Sequence, residues 1–179
     1  MRQLASRLAR ASLLLTLACG IAIGGSAPSA LAHERVMLTA QNSSPSRGPL
    51  LADGTIARAA FANFDGLGQT RGFRVQLRTG QDLRMELLIP DAAPANRLPQ
   101  TQLPEVTVLA PNGTRTVMAI TERTPFYEPY SGTSYLYLAR LRTKAQTGIY
   151  RVQVTSRSND GVTAVIGIGY REVAGHGGG

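Results

Sequence analysis

The stretch Phe73-Arg74-Val75-Gln76-Leu77-Arg78-Thr79-Gly80-Gln81-Asp82-Leu83-Arg84-Met85-Glu86-Leu87-Leu88-Ile89 decides the fold class. Phe73, Val75 and Leu77 alternate with Arg74, Gln76 and Arg78; Leu83, Met85, Leu87 and Ile89 alternate with Asp82, Arg84 and Glu86. Successive side chains of a strand point to opposite faces, so each half reads as a half-buried strand with its apolar side toward a core. Gly80 can supply the positive φ that other residues avoid, so the spacing predicts a hairpin turning at Thr79-Gly80-Gln81.

The same grammar extends in both directions. Val106 and Val108 lead into Pro111-Asn112-Gly113-Thr114, and Val117 to Ile120 return, which predicts a second hairpin. Tyr135 to Leu141, then Thr147-Gly148, then Tyr150, Val152 and Val154 predict a third. A last strand takes Val162, Ala164, Ile166, Ile168 and Tyr170 after Asn159-Asp160-Gly161, and Val36–Ala40 and Ile56–Ala62 are weaker strands. No amphipathic helical pattern of useful length follows residue 33. The expected fold is all-β: an antiparallel β-sandwich of about eight strands, jelly-roll or Greek-key-like, with a closed barrel as the alternative. Four prolines between Pro90 and Pro104 rule out a ladder strand there and predict a long surface crossover. The sandwich domain spans 56–173. Before it lies an extended segment, 33–55, with room for one short strand; after it, the Gly-rich tail 174–179 is expected to be disordered.

These residues carry a family resemblance. Phe73-x-Val75-x-Leu77 with Gly80-Gln81-x-Leu83-x-Met85-x-Leu87, then Val106-x-Val108-Leu109-x-Pro111-Asn112-Gly113 and Thr147-Gly148-Ile149-Tyr150-Arg151-Val152-x-Val154, resemble bacterial pre-peptidase C-terminal domains over about 73–170. The resemblance implies a jelly-roll-like sandwich of the kind that serves as a non-catalytic appendage on secreted enzymes.

The N-terminus reads as an address. Arg2, Arg7 and Arg10 precede an apolar run from Ala11 to Gly24, and small residues follow to Ala30 and Ala32. That is a cleavable secretory signal over 1–32, predicting a secreted or periplasmic protein. The apolar run is shorter than the ~20 residues that span a bilayer, so the mature chain is not expected to insert stably in a membrane. Cys19 offers lipidation as a variant; cleavage after Ala32 leaves no Cys at all, hence no disulfide.

Composition narrows the chemistry. The 179 residues are 43% hydrophobic, too apolar for a disordered chain, and one Cys makes neither a zinc framework nor a disulfide. Of 19 basic residues only Lys144 is Lys, and the basic residues are scattered. A nucleic-acid groove, which needs concentrated charge beside stacking aromatics, is not expected; the charge leaves room for loose attraction to anionic cell-surface polymer, which would be non-specific.

No catalytic constellation emerges. The folded region holds no His or Cys to make a nucleophile–base pair, and Lys144, in a turn, is a poor partner for a Ser. Asp65, Asp91, Glu105, Glu122 and Glu128 fall at strand ends or loops and are the carboxylates an acid/base enzyme would draw on. His33, first after the cleavage site, could grip copper through its amine and imidazole, but its one imidazole partner, His176, sits in the tail. Asp65-Gly66-Leu67-Gly68 could lend oxygens to calcium, though it reads more simply as a turn. Metal sites and cofactors are therefore not expected.

The densest unusual feature is Phe126-Tyr127-Glu128-Pro129-Tyr130-Ser131-Gly132-Thr133-Ser134-Tyr135-Leu136-Tyr137. Alternation favours Tyr135 and Tyr137 facing the core while Phe126 and Tyr130 cap one end. The alternative is an exposed platform on a 123–135 loop, where Phe126, Tyr127, Glu128, Tyr130, Ser131, Thr133 and Tyr135 grip a sugar or peptide. The functional expectation is a non-catalytic binding or scaffold module whose partner is an envelope or extracellular protein or a glycan. A small envelope enzyme or metal-binding protein using loop carboxylates or His33 is the alternative.

Overall fold

A computed structural model of the protein describes residues 34–129 and 131–173. The signal-like segment 1–32, His33, Tyr130 and the tail 174–179 lie outside the described residues. Among the described residues there are eleven strands: β1 Glu34–Leu38, β2 Leu50–Leu51, β3 Arg58–Phe64, β4 Thr70–Leu77, β5 Asp82–Pro90, β6 Glu105–Leu109, β7 Arg115–Val117, β8 Thr124–Glu128, β9 Thr133–Lys144, β10 Gly148–Thr155 and β11 Val162–Ile168. They form a six-stranded sheet ordered β1-β3-β11-β5-β9-β8 and a five-stranded sheet ordered β2-β4-β10-β6-β7. Pairing is antiparallel except where β1 joins β3 and β2 joins β4. The chain is the expected all-β sandwich rather than a closed barrel. Its strand count exceeds eight because β2, of two residues, is too short to show alternation and β8 falls where a loop over 123–135 was expected.

The pairing of strands differs from the sequence expectation in two of three hairpins. β4 and β5 belong to different sheets, as do β9 and β10. Alternation tells which face of a strand is buried and says nothing about which strand lies beside it. The turn at 78–81, with Gly80 at φ +89°, is therefore an arch that carries the chain from one sheet to the other. The two arches are laced together. Ala145 N donates to the Gln81 carbonyl at 2.8 Å, and Thr79 N donates to Thr147 Oγ1 at 2.9 Å. The Asn-Gly turn at 112–113 does form a hairpin, β6 to β7, but the returning strand is Arg115–Val117, earlier than the expected 117–120.

The inner faces build one core. Phe73, Val75 and Leu77 of β4 meet Leu83, Met85, Leu87 and Ile89 of β5, with Val106, Val108, Leu138, Val152, Val154 and Ile166. Each such side chain contributes about 1.5–3 kcal/mol by leaving water. The Pro-rich crossover is less superficial than expected. Pro90 still pairs within β5, opposite Tyr135. Beyond it, two short 3-10 turns at Ala95–Arg97 and Gln100–Gln102 deliver Ala95, Leu98 and Leu103 into the core. Arg123 fastens this cap by donating to the carbonyls of Asn96 and Leu98.

The 33–55 segment supplies β1 and β2, one to each sheet. Between them the chain presses onto β4, where a Cβ at Gly72 would lie 2.3 Å from Pro45 N, so only glycine fits. Thr70 Oγ1 donates to the Ser43 carbonyl at 2.6 Å, and Arg74 N to the Pro49 carbonyl at 2.9 Å.

Candidate functional site

The feature that departs from a plain sandwich lies on the outer face of the six-stranded sheet. Leu88, Tyr135 and Val165 are buried there, apart from the core, with Ala59, Phe61, Phe126 and Tyr137 packed around them. Strand register explains the cluster. One row across the sheet reads Met37, Phe61, Val165, Leu88, Tyr137, Thr124, and the next reads Arg35, Ala59, Gly167, Glu86, Arg140. The first row stands tall and apolar. The second drops to Ala59 and Gly167 in its middle, so a groove of about 330 Å³ opens between large side chains, within the lower range of small-ligand sites.

A bulge in β9 creates this face. Leu87 pairs with Ala139 and Leu88 with Tyr137, leaving Leu138 as an extra residue. Leu138 and Ala139 both enter the core, so outward positions are Tyr135 and Tyr137 before the bulge and Arg140, Arg142 and Lys144 after it. The expectation that Tyr135 and Tyr137 face the core is thereby overturned. Reading Tyr135 to Leu141 as one unbroken alternation put the tyrosines on the wrong side; an added residue flips every side chain beyond it.

The predicted 123–135 loop is a hairpin, β8 to β9, closed by a short turn. Phe126 pairs with Tyr135, and its ring lies 5.3 Å from that of Tyr137, tilted by 46°. Phe126, Glu128, Ser131 and Tyr135 line the groove. Tyr135 is only 8% exposed, whereas Tyr127 is 60% exposed and points away from the groove side of its edge strand. Thr133 is half-buried, its hydroxyl 3.4 Å from the Ser131 carbonyl, and Tyr130 lies outside the described residues. Glu128 accepts from Ser131 N at 2.7 Å, and Ser131 Oγ is buried without a hydrogen-bond partner among the described residues.

Charges rim the groove. Arg35 and Arg58 lie at one side, Glu86 and Glu128 at the other. Burial pushes the Tyr137 phenol above its ordinary value; the negative charge of Glu86 adds to this and Arg140 partly opposes it. The phenol therefore stays protonated at neutral pH.

Most other sequence candidates lie elsewhere. Asp91 accepts from Asn96 at 3.0 Å, Glu105 pairs with Arg157 at 3.7 Å, and Glu122 pairs with Arg140 at 3.1 Å. Asp65 is exposed in its turn, its backbone N donating to Gln69 Oε1 at 3.1 Å. His33 and His176 lie outside the described residues, among which no group of three His, Cys, Asp or Glu could hold a metal. Of the five carboxylate candidates only Glu128 reaches the groove, where it is joined by Glu86. Sequence reasoning missed Ala59, Phe61, Leu88, Val165 and Gly167. The available signal was the unbroken apolar runs Leu87-Leu88-Ile89 and Ala164-Val165-Ile166, which mark strands apolar on both faces.

No protein-family model matches this sequence, and no curated protein matches it. Among the described residues no helix is long and apolar enough to cross a membrane.

Proposed function

We propose that the protein is an exported, non-catalytic binding module that takes an apolar side chain of an extended peptide into the groove on its six-stranded sheet. The observation that carries this reading is the second apolar cluster, built on a face that a free-standing sandwich would leave polar. Three details favour a peptide over a sugar. Stacking on a sugar needs an open ring face, yet the Arg140 guanidinium lies 4.1 Å from the Tyr137 centroid and Arg35 lies 5.1 Å from that of Phe61. Tyr135 is buried among its neighbours, which leaves its ring little open face. The Ser131 hydroxyl, without a partner among the described residues, and the charged rim suit a peptide backbone and its flanking polar groups. Export is supported by the Arg-rich start, the apolar run and Ala30-x-Ala32; the strand-and-turn resemblance to pre-peptidase C-terminal domains is in keeping with it.

The test uses blocked pentapeptides with a central Leu, Phe, Ala or Arg, titrated against the mature chain and followed by amide chemical shifts. Leu or Phe should bind most tightly. Gly167→Leu should abolish that binding at unchanged melting temperature, because a Cβ there meets nothing closer than 3.6 Å and its side chain fills the groove. Equal response to all four peptides, or binding that survives Gly167→Leu, would overturn the reading.

A further inference from the structure

Three arginines distant in the sequence meet on the outer face of the five-stranded sheet. Arg74 of β4 is the register partner of Arg151 of β10; the other partner of Arg151 is Leu109 of β6, which faces Arg115 of β7. With strands about 4.8 Å apart, these residues form one row roughly 15 Å long. No carboxylate pairs with any of the three among the described residues. Arg74 Nη2 donates to the Gly48 carbonyl at 3.1 Å and Arg115 Nη2 to Thr107 Oγ1 at 3.2 Å. Glu105, which shares this face, is held by Arg157 at 3.7 Å. Two like charges directly opposed across a ladder destabilise a sheet, so the Arg74–Arg151 pair makes sense where an anion bridges it.

The neighbouring outward residues indicate which anion. Gln76, Gln153, Thr107 and Thr155 flank the row with neutral hydrogen-bonding groups, matched in register as Gln153 with Thr107. No aromatic side chain stands among the outward positions of β4, β6, β7 and β10, so bases have nothing to stack on. We propose that this row binds a polyanionic glycan, a chain whose successive uronate carboxylates engage the guanidinium forks while its hydroxyls meet the Gln and Thr side chains. This surface is separate from the groove and does not depend on it.

The experiment titrates the mature chain with oligogalacturonate at low and physiological salt, with its methyl ester as the neutral control. The free acid should bind and the ester should not. The double variant Arg115→Gln/Arg151→Gln should lose about ten-fold in affinity while melting no lower than the wild type. Arg142→Gln/Lys144→Gln removes the same charge from the opposite sheet, where both residues already have carboxylate partners, and should change affinity less than about two-fold. Gly167→Leu should bind the glycan normally, which separates this proposal from the peptide groove. Equal losses in the two double variants, absence of binding, or tighter binding of single-stranded DNA or anionic vesicles would each overturn it.

Discussion

The two outer faces of the sandwich are built from the same strand grammar and differ in what they present. On the six-stranded sheet most charges are matched: Lys144 and Arg84 hold Asp82, Arg142 lies 3.8 Å from Glu86, and Arg140 pairs with Glu122, while Arg35 stacks over Phe61. Between them lies an apolar groove. On the five-stranded sheet the outward side chains are mostly polar, with Leu50, Leu109 and Val117 among them, and three arginines lack carboxylate partners among the described residues. A sheet that only had to fold would leave both faces polar and charge-balanced. Each face departs from that in its own way, one with exposed apolar area and one with unbalanced charge.

The largest expected effect comes from removing the extra residue of β9. Deleting Leu138 leaves Tyr137 opposite Leu88 and Ala139 opposite Leu87 in a regular ladder, so Tyr135 and Tyr137 should stay outward while a fully buried core side chain is lost and the ladder loses its bulge. The loss should be on the order of 5 kcal/mol in urea denaturation, enough to unfold many domains. A fully stable deletion variant would show that the extra residue contributes nothing to the core.

Next in size is a neighbouring pair on β5. Leu87→Ala empties a fully buried core position and should cost about 4 kcal/mol; Leu88→Ala, on the groove side, should cost about 2 kcal/mol. The contrast sharpens the distinction between an inner apolar surface that holds the fold and an outer one only partly used for it. Equal losses would place the outer cluster within the core.

On the opposite face the sign reverses. Arg151→Gln relieves the opposed pair and should stabilise the protein by about 0.5 kcal/mol at low ionic strength, an effect that fades with added salt.

The smallest effect involves a clasp that belongs to neither face. Hydrogen bonds from Thr55 hold the Asp53 carboxyl below its ordinary value, with Arg171 adding to the shift. A depressed pKa contributes stability that is fully present above the unfolded value near 3.8 and is lost as pH falls through the folded value. Thermal melts should therefore show a modest acid loss below about pH 4 that Asp53→Asn abolishes. The site is partly exposed and screened, so the loss should be small.

These contrasts also mark what the sequence could reveal. Inward faces were legible because alternation fixes burial, and the sandwich followed from strand spacing and turns. Partners were not legible: Leu77 and Leu83 look like two arms of a hairpin whether the turn at Gly80 folds back or crosses over. The groove was half legible. Phe126, Glu128, Ser131 and Tyr135 stood out by local density, but Leu88, Val165 and Gly167 reach the site only through register. A bulge of one residue after Tyr137 leaves no compositional trace. The arginine row was hidden for the same reason, since residues 74, 115 and 151 become neighbours only when β4, β10, β6 and β7 assemble.

The central claim is that the two faces recognise different chemistry. Amide chemical-shift mapping of one labelled sample with the Leu-centred pentapeptide, then with oligogalacturonate, tests it most directly. The account predicts that the peptide moves Leu88, Val165 and Gly167 while the glycan moves Arg151, Gln153 and Arg115, with neither disturbing the other set. Shifts from both ligands converging on one face would contradict it.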